Sequence, residues 1–114
     1  MLKPNMADMF KQMQKLQEEL ARTQEALAGM TAEGSAGGGI VTATANGKQQ
    51  LQSIHIDPEV IESKDLEMLE DLIVAAVNQA LERSQDMAKE EMQKAGAGLL
   101  GMLPGGLKLP GLGL

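Results

Sequence analysis

Cysteine, tryptophan and tyrosine are absent from this 114-residue chain, and phenylalanine occurs once. Without cysteine there is no disulfide, no thiolate metal site and no thiol nucleophile. That absence also suits a reducing cytosol. With aromatic residues at 1%, base-stacking platforms are essentially excluded. So is the aromatic-rich pocket that small-molecule sites usually need. Long hydrophobic runs are missing as well. The longest uninterrupted apolar run in the body, Leu72 to Val77, falls far short of the roughly 20 residues of a membrane span. The first residues contain no apolar stretch of signal-peptide length. The chain reads as one small, soluble, intracellular domain without membrane, small-molecule substrate or cofactor.

What is present is an uneven distribution of charge within a net −6. Residues 1–30 carry four bases (Lys3, Lys11, Lys15, Arg22) and four acids (Asp8, Glu18, Glu19, Glu25). Residues 31–57 carry Lys48 against Glu33 and Asp57, and Lys108 is the only charge in the tail. Residues 58–95 hold ten acids against four bases. An acidic chain argues against polyanion binding, because its summed field repels phosphate. The acids at Glu59, Glu62, Asp65, Glu67, Glu70 and Asp71 also have a purely structural use: negative charge at a helix start complements the helix dipole.

The apolar pattern specifies the elements. From Asn5 to Met30, heptad a and d sites hold Met6, Met9, Met13, Leu16, Leu20, Leu27 and Met30, with Thr23 the polar exception. This predicts an amphipathic helix, longer than a small core requires, packed on its own chain or on a second subunit. Then Thr31–Ala36, Ile40–Ala45 and Lys48–Ile56 read as three short antiparallel strands. The Gly37-Gly38-Gly39 run turns the first into the second, and Asn46-Gly47 supplies a tight hairpin in which both positions tolerate positive φ. Ile54 and Ile56 share a face. Asp57-Pro58 ends the sheet and caps a short turn over 58–62. With Ser63 or Asp65 as the next cap, Leu66, Leu69, Ile73, Ala76, Val77, Ala80, Leu81, Met87 and Met92 trace a helix to about Lys94. The fold class is α+β: long N-terminal helix, three-stranded antiparallel sheet, long C-terminal helix. Residues 1–95 form the domain and 96–114 a Gly/Leu/Pro-rich flexible tail.

No pattern supports an enzyme. The glycine run leads into a strand rather than a helix and lacks a phosphate-loop lysine. His55 stands alone in a strand, and Ser35, Ser53, Ser63 and Ser84 have no elbow or triad context. So small a sheet exposes its edges, and the two helices outrun what it can cover. Both features predict an obligate twofold homodimer in which sheets or helix bases meet.

The succession Glu33-Gly34-x-Ala36-Gly37-Gly38-Gly39-x-Val41, Asn46-Gly47, Ile54-x-Ile56-Asp57-Pro58 and Met68-Leu69-Glu70-Asp71-Leu72-Ile73-x-Ala75-Ala76-x-Asn78-x-Ala80 resembles the YbaB/EbfC family of bacterial nucleoid-associated proteins. The resemblance covers about residues 5–95. It implies a cytoplasmic, nucleoid-located, tweezer-like homodimer that binds double-stranded DNA and affects its conformation and gene expression. The family motif does not say which bases touch DNA; charge placement does the choosing. If the helices run antiparallel, their far ends bring together Lys3, Lys11 and Lys15 with Lys89 and Lys94, and Arg22 joins Lys11 and Lys15 on one outward strip. These six are the expected DNA-binding residues, acting through phosphate contact rather than base reading. Against this, Lys15 with Glu19 and Arg22 with Glu18 have the spacing of solvated helical ion pairs. The competing expectation is an acidic dimeric adaptor that binds a protein partner through its arms or Leu-rich tail.

Overall fold

The computed structural model describes residues 6–100, with side chains as far as residue 96. In chain order the elements are α1 (Met6–Leu27), β1 (Thr31–Ala36), β2 (Val41–Asn46), β3 (Leu51–Ile56), α2 (Pro58–Glu62) and α3 (Leu66–Leu100). The expected α+β order is therefore present. α3 runs past Lys94 because Ala, Lys, Glu and Gln dominate its second half and are good helix formers. The expected tail lies outside the described residues from 101 onward.

The strands form one antiparallel sheet in the order β1-β2-β3. Register places Gly34 opposite Ala43, and Ala43 opposite Ile54. Alternation then gives the sheet two unlike faces. One carries Ala32, Gly34, Ala36, Val41, Ala43, Ala45, Ile54 and Ile56; the other carries Glu33, Ser35, Thr42, Thr44, Ser53 and His55. α3 lies on the first. The buried core is Val41, Ala43 and Ala45 from β2 with Ala76 and Ala80 from α3. Leu69, Leu72, Ile73, Val77 and Leu81 pack around it.

Two glycine positions decide how closely the layers meet. Gly34 sits so tightly on α3 that an added Cβ would lie 2.3 Å from both Ala76 O and Ala80 N. Gly47 is seated on the end of α1: a Cβ there would lie 2.7 to 2.9 Å from Leu27 atoms. Its N–H reaches Leu27 O at 2.9 Å. Here the structure corrects the hairpin reading. Neither Asn46 nor Gly47 has positive φ; the left-handed residue is Gln49, at φ 61°. The connection is a longer loop, so β3 starts at Leu51 rather than Lys48. Asn46 organises it. Its Oδ1 accepts from the N–H groups of Lys48 and Gln50, both at 3.0 Å. Its Nδ2 donates to Gln50 Oε1 at 2.9 Å. Asn46 is buried, so Asn46→Ala strands two donors and is expected to cost about 1–3 kcal/mol in urea unfolding. Asn46→Asp, which keeps the acceptor, should cost less.

The remaining connections follow the sequence closely. Gly37, Gly38 and Gly39 turn β1 into β2 at φ 64°, 72° and 98°, a stretch L side chains rarely adopt. Asp57 caps α2 by accepting from Glu59 N at 3.1 Å, with Pro58 in the first turn. Asp65 caps α3, its Oδ1 accepting from Met68 N at 3.0 Å. Ser63 instead ends α2.

α3 is narrower than the sheet. It covers β1 and β2 and barely touches β3. Leu51 and Ile54 therefore remain 44% and 40% exposed. Helical spacing aims opposite flanks of α3 in opposite directions. Gln79 and Arg83 meet the outer edge of β1: Gln79 Oε1 accepts from Ser35 N at 2.7 Å, and Arg83 donates to Glu33 O at 3.0 Å. The other flank, with Ile73, Val77, Leu81 and the 58%-exposed Val74, faces the space above β3. An apolar slot is left open there.

Candidate nucleic-acid interface

Beyond the sheet, α3 turns from strand cover into one half of a rod. Gly37 meets Leu72 and Gly34 meets Ala76 and Ala80, while Arg83 reaches Glu33. α3 thus advances along β1 toward the end of α1 and then pairs with α1. On α1 the positions withdrawn from solvent are Leu16, Glu19, Leu20, Thr23 and Leu27; on α3 they include Ser84, Met87, Ala88, Glu91, Met92 and Ala95. Both sets repeat every three to four residues, the seam of two antiparallel helices. The far half of the predicted α1 seam is different: Met6, Met9 and Met13 are exposed, as is Phe10 beside them. Among the described residues only the near half of the heptad pattern is covered.

The structure distributes the expected DNA-contacting residues along this rod. Arg22 and Lys89 lie nearest the body, Lys94 further out, and Lys15 and Lys11 toward the tip; Lys3 lies outside the described residues. All five described bases are exposed. Arg22 is held by Glu19 at 2.9 Å and Lys94 by Glu91 at 3.5 Å. The expected partners differ: Arg22 takes Glu19 rather than Glu18, and Lys15 makes no ion pair among the described residues. Lys11 and Lys89 likewise make none there. Lys11 and Lys15, one turn apart, stand about 6 Å from each other along the axis. Exposed pairs such as Arg22–Glu19 contribute at most about 1 kcal/mol, but they cancel charge locally.

Charge changes sign along the rod. The body, residues 28–83, has nine acids and three bases. The near half adds Glu18, Glu19 and Glu25 against Arg22 on α1, and Asp86, Glu90 and Glu91 against Lys89 on α3. In the far half, residues 6–17 and 94–100 hold Lys11, Lys15 and Lys94 against Asp8 alone. An approaching polyanion meets repulsion at the body and attraction at the tip. Among the described residues no group of three or more His, Asp or Glu could hold a metal ion, and no helix is long and apolar enough to cross a membrane.

Sequence reasoning missed two working residues, Gln79 and Arg83. Their partners are backbone groups of β1, and no residue pattern announces a backbone acceptor.

The chain matches the profile of the YbaB/EbfC DNA-binding family over residues 2–99. It belongs to that family. It is 47% identical to a nucleoid-associated protein of Pelotomaculum thermopropionicum over 98% of this chain and 99% of that one. It is 51% identical to another from Syntrophobacter fumaroxidans, over 90% and 91%. A crystal structure of an uncharacterised Helicobacter pylori protein shares the fold, with a TM-score of 0.64 at 20% identity, over 75% of this chain and 90% of that one. The family match spans the rods as well as the body, so the rods are part of what YbaB/EbfC sequences have in common.

Proposed function

We propose that the protein is a homodimeric nucleoid-associated protein of the bacterial cytoplasm that grips duplex DNA between rod tips through phosphate contacts, altering DNA conformation and, through it, gene expression. The observation that carries this reading is the reversal of charge along the rod in a member of a DNA-binding family. Lys11 and Lys15, with Lys3 beyond the described residues, neutralise phosphates and release counterions. Lys94 adds a charge that its pairing with Glu91 partly offsets. Arg22 and Lys89 lie among acids and contribute less. Among the described residues no helix-turn-helix holds a recognition helix, so contacts position the protein without reading base edges. No cofactor enters this chemistry. A titration against mixed-sequence duplex at two salt concentrations tests it: affinity should fall steeply with salt. Absence of binding even at low salt would leave the adaptor reading instead.

The dimer follows from the slot above β3. A twofold axis beside α3 drops the partner's α3 into it. Each helix then covers β1 and β2 of its own sheet and β3 of the other, closing both apolar flanks. Two rods project from the shared body. Ile54→Asp places a carboxylate on the floor of that slot and is expected to give a folded or partly unfolded species of about 12 kDa in sedimentation, the mass of one chain. A dimer that survives this change would rule out the slot as the joint.

A further inference from the structure

The two edges of the sheet are not equivalent. Along β2, the N–H and C=O groups of Ala43 turn toward β1, and those of Thr42 and Thr44 toward β3; Asn46 N bonding to Gln50 O and Asp57 N to Ile40 O fit this alternation. On β1, therefore, the outward groups belong to Glu33 and Ser35. Two of their four are occupied: Gln79 takes the Ser35 N–H and Arg83 the Glu33 C=O. Gln79 and Arg83 are one turn apart on α3, so a single helix face lies against this edge and takes one group from each residue. On β3 the outward groups belong to Ile54 and Ile56. No hydrogen bond from elsewhere in the described residues reaches them.

Of the devices that usually blunt an open edge, β3 carries only a bulge at Gln52, at the end of the strand away from Ile56. Leu51-Gln52-Ser53-Ile54-His55-Ile56 contains no Lys, no Pro and no acid. In a chain of net −6 this strand brings no charge of its own to a contact between two copies. DNA is a poor occupant, because the edge offers no cation.

We propose that β3 pairs antiparallel with β3 of a second copy, continuing one sheet into the next. This rests on the slot-joined dimer proposed above, which leaves one β3 edge free on each subunit. Edge pairing then links dimers in a line, and the cover of β1 by Gln79 and Arg83 keeps growth linear. A row of dimers sets successive rod pairs side by side along DNA. The contact is twofold: centred on Ile54, it sets Ser53 of one copy opposite His55 of the other, on the polar face away from the slot.

Sedimentation velocity of the full chain without DNA, from micromolar to millimolar concentration, is the test. The expected result is a dimer at the low end, with species of four and six chains growing in above it. S53E/H55E sets like charges opposite each other and should remain a dimer at every concentration. Mixing it with S53K/H55K should restore the larger species. The Q79A/R83A variant opens the second edge and should sediment larger than the unaltered chain at equal concentration. Larger species that persist in S53E/H55E, an unaltered chain that stays dimeric at millimolar concentration, or a Q79A/R83A variant no larger than the unaltered chain would each overturn the proposal. A monomer at all concentrations would instead remove the slot-joined dimer on which it rests.

Discussion

Gly34→Ala is expected to destabilise the domain by about 3 kcal/mol, an effect out of proportion to one methyl group. The new Cβ would stand 2.3 Å from Ala76 O, 2.3 Å from Ala80 N and 3.0 Å from the Ala80 Cα. All three are helix backbone, which cannot step aside as a flexible side chain can. Relief comes only if α3 lifts off the sheet. That loosens its contact with Val41, Ala43 and Ala45, the whole of the buried β2 face. Overpacking of a close-fitted core typically costs about 1–3 kcal/mol, sometimes more, and here the seat is at the centre of the core. Gly96→Ala is the internal comparison: nothing stands within 4 Å of its added Cβ, and alanine in a helix should gain about 0.5–1 kcal/mol over glycine. Urea midpoints for the two variants should move in opposite directions. If Gly34→Ala unfolds at the midpoint of the unaltered chain, the close seat of β1 on α3 is not what holds the layers together.

The elements most readable in the sequence are those whose signals are local. Asp57-Pro58 and Asp65 cap helices where their chemistry requires. The three glycines after Ala36 make the turn that only glycine makes cheaply. Strand registers follow because Val41, Ala43 and Ala45 alternate with threonines. What the sequence obscured depends on distant partners. Asn46-Gly47 has the composition of a two-residue hairpin, yet Gly47 is glycine because Leu27 lies against it, and the positive φ passes to Gln49. The seam of α1 is regular over its whole length, yet among the described residues only its near half is covered. A heptad reports that a face is apolar, not what covers it. The bases of the candidate site show the same division. Their exposure was legible from their places off the seam, whereas the pairing of Arg22 with Glu19 rather than Glu18 turned on rotamers that spacing leaves open.

The joint variant Lys11→Glu/Lys15→Glu should show the larger functional effect: loss of a detectable gel shift at low salt, with sedimentation unchanged. Both lysines are exposed, unpaired among the described residues and off the α1–α3 seam, so their reversal spares fold and dimer. It also converts the far half of the rod from net positive to net negative, and the whole surface then repels phosphate. The neutral pair Lys11→Gln/Lys15→Gln permits a finer measurement. Each phosphate contact contributes close to one unit of slope in the logarithm of affinity against the logarithm of salt. The slope should become shallower by about two if one rod of the dimer meets DNA and by about four if both do, which distinguishes a one-sided contact from a clamp. Arg22→Gln should change the slope less than either lysine, because Glu19 at 2.9 Å already offsets its charge. Lys48→Gln and Lys64→Gln, in the acidic body, should leave it unaltered. If the body variants weaken binding as much as the tip variants, the duplex does not lie between the rod tips.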